Sequence, residues 1–166
     1  MKHLSKLFAF LAVASLVIFM SCGGGGDDPD PEPPGKETAE ALAATVWSPS
    51  QGGVRLDGQE RNEWLEAGFT LSFTPNSDFT GGSYTASNLP STDFPEANVV
   101  WPASGTWSFT TDAEGNLNLD EVERQDGVVA SISVSETSLT ITFPIDDPNA
   151  RVDAVGGQWS FSFSAE

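Results

Sequence analysis

The chain has 166 residues, with 24 acidic and seven basic side chains, and its formal net charge is −17. A surface of that sign repels nucleic-acid phosphates, and no basic stripe interrupts it, so the composition excludes nucleic acid as a partner. The length suits one domain of ordinary size, which can bury a sufficient core without disulfides.

The first 21 residues have the features of a cleaved secretion signal. Lys2 and Lys6 supply a positive start, and residues 7–20 form an apolar run that is shorter than the ~20 residues of a membrane-spanning helix. Ser21 then places a small residue before Cys22, the only cysteine. We predict cleavage before Cys22 and acylation of that cysteine, with enough acyl chains for stable membrane attachment. A secreted protein whose cysteine lies there by chance is the alternative.

The residues at the cleavage site resemble the lipobox of bacterial lipoproteins. They read Phe19-Met20-Ser21-Cys22, and the Ser-Cys ending is similar to that of Bacteroidetes-type lipoproteins. Such proteins often carry an acidic surface-export signal after the cysteine. The resemblance implies a lipid-anchored protein of the outer membrane, on the cell surface or on the periplasmic face. The corresponding acidic residues here, behind four glycines, are Asp27, Asp28, Asp30 and Glu32.

Composition divides the mature chain into a tether and a folded domain. Residues 22–36 hold the acylated cysteine and a stretch dominated by glycine, aspartate and proline, which predicts an extended tether of roughly 40 Å. Residues 37–44 have a helix-forming composition and predict two helical turns. The folded domain is predicted over residues 37–166, after the signal peptide at residues 1–21.

From Trp47 onward, apolar residues alternate with serine and threonine, as they do in Trp159, Phe161 and Phe163. Such alternation buries one face and wets the other, which is typical of antiparallel strands. Polar turn sequences separate the segments. We therefore predict an all-β antiparallel meander that forms a small β-barrel or a β-sandwich. The predicted strands lie near residues 45–48, 52–57, 67–74, 79–86, 105–111, 116–123, 128–134, 138–143 and 157–164.

One short sequence motif occurs twice, as Gly105-Thr106-Trp107-Ser108-Phe109 and as Gly157-Gln158-Trp159-Ser160-Phe161, with a weaker match around Trp47. The chain combines a lipoprotein leader, a meander and a Gly-x-Trp that opens a strand. In this combination it resembles the lipocalin-like domains of bacterial lipoproteins. The resemblance covers about residues 45–164 and implies a barrel with a ligand pocket. The physical interpretation of Trp107 and Trp159 is that their rings fill the core, with glycine allowing close backbone approach.

Two longer stretches, residues 57–66 and 87–104, lack this alternation. Loops of such length are often functional. Aromatic rings in them either contact a ligand or plug the open end of a barrel. The candidate ligand-binding residues are Arg61, Trp64, Phe94 and Trp101.

The side chains of the mature chain argue against catalysis. The only histidine, His3, leaves with the signal peptide, so no imidazole remains for a nucleophile triad or a zinc site. Glycoside hydrolysis stays open as an alternative, with the carboxylates of Glu60, Glu63 and Glu66 as candidates. The acidic turns at 112–116 and 146–149 match no full calcium loop. We predict no enzyme, no cofactor and no metal.

Two functions fit these observations. The first is a non-catalytic binding module that holds a glycan or a small apolar ligand near the cell surface, and the clustered loop aromatics favour it. The second is an envelope structural or protein-interaction domain without a small-molecule ligand, in which an edge strand or a Ser/Thr face binds a protein partner.

Overall fold

The computed structural model describes residues 31–92, 94–146 and 155–166, and from Glu32 onward these belong to one compact unit. The predicted signal peptide, Cys22 and most of the tether lie outside these ranges. Within them, no helix is long and apolar enough to cross a membrane. Three short helices occur there: α1 at Lys36–Ala43, α2 at Glu63–Glu66 and α3 at Ala97–Val100.

The strands are β1 (Trp47–Leu56), β2 (Gln59–Glu60), β3 (Thr70–Pro75), β4 (Gly81–Ser87), β5 (Ser104–Thr111), β6 (Leu117–Arg124), β7 (Val129–Val134), β8 (Ser138–Ile145) and β9 (Gly157–Ala165). β2 is a short strand beside β1. The others pair in chain order, all antiparallel, and β9 returns to pair with β1. Eight strands thus form a closed lipocalin-like barrel, which confirms the predicted all-β meander and selects the barrel over the sandwich.

Alternation decides which side chains enter the barrel. On β9, Trp159, Phe161 and Phe163 are at most 2% exposed, whereas the serines between them are partly exposed. Trp107 on β5 is also buried, so both tryptophans of the repeated motif belong to the core. Eight strands leave an interior just wide enough for side chains to fill, and here aromatic rings fill much of it.

The predicted strands at 45–48 and 52–57 are one strand, β1. Its pairing with β9 is interrupted between Pro49 and Val54, where the register shifts. Gly52 lies in this interruption with φ +67°, a left-handed value that glycine adopts at no steric cost. The two-strand prediction is wrong because these glycine-rich residues, which resemble a turn signal, form an irregularity within a strand.

The helix α1 closes one end of the barrel, called here the helix end. It packs against both β3 and β7, which lie on opposite sides of the ring of eight strands, so it crosses the opening. Ala39 and Leu42 of α1 are at most 1% exposed. The indole Nε1 of Trp47 donates to the Leu42 carbonyl oxygen at 2.8 Å. The predicted helix at 37–44 is confirmed, and it acts as a plug.

The opposite end carries the long connections and is called here the loop end. Residues 57–69 link β1 to β3 and include α2, and residues 88–103 link β4 to β5 and include α3. Binding residues are often carried on loops that a rigid scaffold positions. The loop end is therefore the candidate location of a functional site.

Replacing Leu42 by alanine should lower the free energy of unfolding by about 2–4 kcal/mol, because it leaves a cavity beneath the plug helix. Glu40→Ala, on the exposed side of α1, is the control and should change it by less than about 0.5 kcal/mol. Urea unfolding followed by circular dichroism measures both. Equal effects of the two changes would contradict the role of α1 as a plug.

Candidate ligand-binding site

The four candidate residues of the sequence lie together at the loop end, and their aromatic rings are inside the barrel. Trp64 on α2 is 0% exposed, Trp101 directly after α3 is 2% exposed, and Phe94 is 4% exposed. The Arg61 side chain is 19% exposed. The three rings therefore plug the loop end. The sequence left two arrangements open, a plug and direct contact with a ligand.

The plug rings pack against the inward-facing rings of the barrel wall. Trp64 lies edge to face against Phe69 and Phe161, with ring centroids 4.9 and 5.1 Å apart. Trp101 contacts the same Phe161 at 5.6 Å and Phe143 at 5.4 Å. Tilted and edge-to-face pairs contribute about 0.5–1.5 kcal/mol each beyond their area burial. Phe161 of β9 thus joins both plug tryptophans into one cluster.

The indole N–H groups of Trp64 and Trp101 are buried and have no hydrogen-bond partner among the described residues. The other three indoles donate to backbone carbonyl oxygens at 2.8–3.2 Å. A buried donor without an acceptor costs about 1–3 kcal/mol, and a buried indole usually finds one. The plug therefore holds two donors that a bound acceptor would satisfy. The three indoles with partners are those of Trp47, Trp107 and Trp159.

Arg61 covers the aromatic cluster from the loop end. Its guanidinium carbon lies 4.6 Å from the ring centroid of Phe94 and 5.2 Å from that of Trp159. Its Nε donates to the carboxylate of Glu63 at 2.5 Å. Such cation–π contacts hold a ring in place, more strongly where water is excluded. Arg61 thus fixes Phe94 in the plug.

A second arginine has the same arrangement, and sequence reasoning missed it. Arg124, the last residue of β6, is 3% exposed, and it is the one charged residue that is buried within the described ranges. Its guanidinium carbon lies 4.9 Å from the Trp101 ring centroid and 5.2 Å from that of Phe143. Its Nη1 donates to the Val100 carbonyl oxygen of α3 at 2.8 Å. Arg124 therefore ties both α3 and Trp101 to the barrel wall.

Asp126 neutralises this buried arginine. Arg124 donates from Nε to Oδ1 at 3.1 Å and from Nη2 to Oδ2, which makes a bidentate ion pair. Burial acts to raise the pKa of the Asp126 carboxyl, but the hydrogen bonds and positive charge of Arg124 outweigh burial, so this pKa is lowered. An arginine followed two residues later by an acidic residue occurs at both 61–63 and 124–126. The same spacing also occurs at 55–57, where the Arg55 side chain is exposed, so the sequence carried no signal that would have singled out Arg124.

Three of the carboxylates that the sequence singled out have protein partners, whereas residues 147–149 of the second acidic turn lie outside the described ranges. Glu60 pairs with Arg55 at 3.1 Å, and Glu63 pairs with Arg61. The Asp112 carboxylate accepts backbone N–H bonds within its own turn. Within the described ranges, no group of three or more acidic, histidine or cysteine side chains could hold a metal ion. The loop end offers aromatic rings and hydrogen-bond donors, which are means of binding.

Four buried tryptophans allow a matched test of the unpartnered donors. Trp47→Phe and Trp159→Phe remove a hydrogen bond and leave a carbonyl oxygen without its donor, so each should cost about 1 kcal/mol more than the loss of ring volume alone. Trp64→Phe and Trp101→Phe remove a donor that has no acceptor, so a gain of about 1–3 kcal/mol should offset part of the volume cost. Denaturant unfolding of the four variants measures the difference. Four equal losses of stability would show that all four indoles are satisfied.

Comparison of the chain with protein-family models, with curated proteins and with solved structures finds no match. The closed meander of eight strands is lipocalin-like, which is a statement about fold alone. The fold alone therefore does not define a ligand.

Proposed function

We propose that this protein is a lipid-anchored envelope or cell-surface lipoprotein whose barrel is a non-catalytic binding module. The sequence suggests a glycan or a small apolar molecule as the ligand. The barrel interior favours the apolar molecule, because its buried lining is aromatic and aliphatic. The anchor at Cys22 is proposed from the sequence.

The observation that carries this proposal is the pair of unpartnered indole N–H groups of Trp64 and Trp101. In the protein without ligand, each of these N–H groups carries a cost of about 1–3 kcal/mol, which a ligand oxygen in hydrogen-bond contact would remove. An apolar molecule with a carbonyl or ether oxygen therefore gains more from binding than a hydrocarbon of the same shape. The ligand class that fits best is a small apolar molecule with one or two such acceptors.

Entry of a ligand leaves the barrel wall intact. Trp64 lies on α2 and Trp101 directly follows α3; these two helices have four residues each and lie outside the strand ladder. Movement of either helix therefore breaks no strand pairing. The cation–π contacts of Arg61 and Arg124 hold the plug closed until a ligand displaces it.

The attachment point of the tether also fits this role. The chain enters the barrel through α1 at the helix end, and Gly35 immediately before α1 packs so closely that a Cβ there would lie 2.2 Å from the Phe79 carbonyl oxygen. The tether therefore joins the barrel at the helix end, whereas the proposed ligand enters at the loop end.

A protein-interaction domain receives less support. Docking by strand addition needs a sheet edge with unpaired backbone groups. The pairing of β1 with β9 removes both edges of the eight-stranded ring, and β2 adds only two residues beside it.

Two ligands of matched shape test the proposed function. 2-Acetylnaphthalene carries a carbonyl acceptor, and 2-ethylnaphthalene has none. Full-length protein in detergent should bind the acetyl compound about tenfold more tightly, with saturable quenching of tryptophan fluorescence. Trp64→Phe and Trp101→Phe should each reduce this preference, because each removes one donor. Trp47→Phe is the control and should keep it, because that indole already has a partner.

Two results would contradict the proposed function in different ways. If neither naphthalene binds saturably, the barrel does not act as a module for small apolar ligands. If both bind equally and the variants change nothing, the interior binds apolar molecules but the indole N–H groups take no part.

A further inference from the structure

A small open pocket lies at the loop end, beside the aromatic plug. Its volume is about 300 Å³, at the lower limit for ligand pockets. Pro102 and Gly105 form part of its wall, and the rest of the lining offers two hydroxyls, one amide and one carboxylate. These polar groups belong to Tyr84, Ser104, Gln125 and Asp126.

The Tyr84 ring is buried, but its hydroxyl keeps some contact with solvent, unlike the indole N–H groups of Trp64 and Trp101. The residue is 4% exposed, and its hydroxyl has no hydrogen bond with any residue of the described ranges. A Cβ on Gly105, directly opposite on β5, would lie 2.7 Å from the Tyr84 hydroxyl oxygen, so the glycine makes room for this ring. Burial is the main cause of the raised pKa of Tyr84, which keeps the hydroxyl protonated at neutral pH. A protonated hydroxyl that lines an open pocket and has no acceptor among the described residues is available to donate to a ligand there.

The pocket is close to neutral although the protein is strongly acidic. The Asp126 carboxylate is balanced by Arg124, which donates to each of its two oxygens. A carboxylate has about four acceptor positions, so Asp126 can still accept hydrogen bonds from a ligand. A cation would compete with Arg124 for Asp126, and an anion would be repelled by the acidic surface. The pocket therefore suits a neutral molecule that both donates and accepts hydrogen bonds.

We propose that this pocket binds a neutral sugar, as a free monosaccharide or as the terminal unit of a glycan. Sugar hydroxyls would donate to the Asp126 carboxylate and accept from the Tyr84 hydroxyl, with the Gln125 amide available for both roles. Pro102 provides an apolar wall for the C–H edge of the ring. The site is separate from the interior that receives the apolar ligand, so it goes beyond the function proposed above and does not depend on it.

Tyr84 is the only tyrosine of the chain, and it therefore serves as a built-in reporter. Tyrosine labelled with ¹³C gives one set of ring signals in the NMR spectrum of the full-length protein. Titration with D-glucose and with N-acetyl-D-glucosamine should shift these signals saturably for at least one of the two sugars. D-glucuronate and D-glucosamine are the anionic and cationic controls, and they should bind at least about tenfold more weakly.

Two variants test whether the shifts of the Tyr84 signals report sugar binding in this pocket. Gln125→Ala and Tyr84→Phe should each weaken sugar binding about tenfold, the second measured by saturation transfer to the sugar because its tyrosine signal is lost. Thr85→Ala, on the exposed face of β4, should bind like the unchanged protein. The sugar site is overturned if neither neutral sugar shifts the Tyr84 signals, if D-glucuronate binds more tightly, or if both variants keep full affinity.

Discussion

The pairing of β1 with β9 is the contact on which the rest of the structure depends. It extends from Trp47 opposite Ala165 to Leu56 opposite Trp159 and joins the two ends of the meander. An open sheet of the same strands would expose two edges and would need a second layer to cover its apolar face. The closed ring covers that face by itself, because its interior is filled by its own side chains. Closure therefore leaves the two ends as the places where a ligand can enter.

The two ends are sealed with different chemistry. At the helix end, α1 supplies both apolar side chains and the carbonyl oxygen of Leu42 that accepts from Trp47. At the loop end, Trp64 and Trp101 bring rings into the interior, but no described residue accepts from their N–H groups. Natural proteins leave such features as unpaired buried donors mainly at functional sites. Arg124 links this feature to the pocket proposed to bind a sugar, because it contacts the Trp101 ring and pairs with Asp126 in the pocket wall.

Local periodicity was sufficient to predict most of the strands, because the spacing of apolar residues records which face is buried. Composition predicted α1, whereas β1 was wrongly divided into two strands at its glycine-rich irregularity. Closure could not be predicted, since the residues that pair, such as Trp47 and Ala165, are far apart in sequence. Trp64 and Trp101 were recognisable as loop aromatics, but their burial depends on rings from distant strands. Tyr84 is an ordinary inward position of β4, and its pocket exists only because Gly105 on β5 leaves room for its ring.

The most direct test of this account is the NMR spectrum of the indole N–H groups in ¹⁵N-tryptophan-labelled protein, with each of the five signals assigned by a Trp→Phe variant. Three signals should show the downfield shift of hydrogen-bonded indoles, and those of Trp64 and Trp101 should lie upfield of them. Addition of 2-acetylnaphthalene should move the upfield pair downfield and leave the other three in place. Five downfield signals without ligand would contradict the account, because every buried indole would then already have its acceptor.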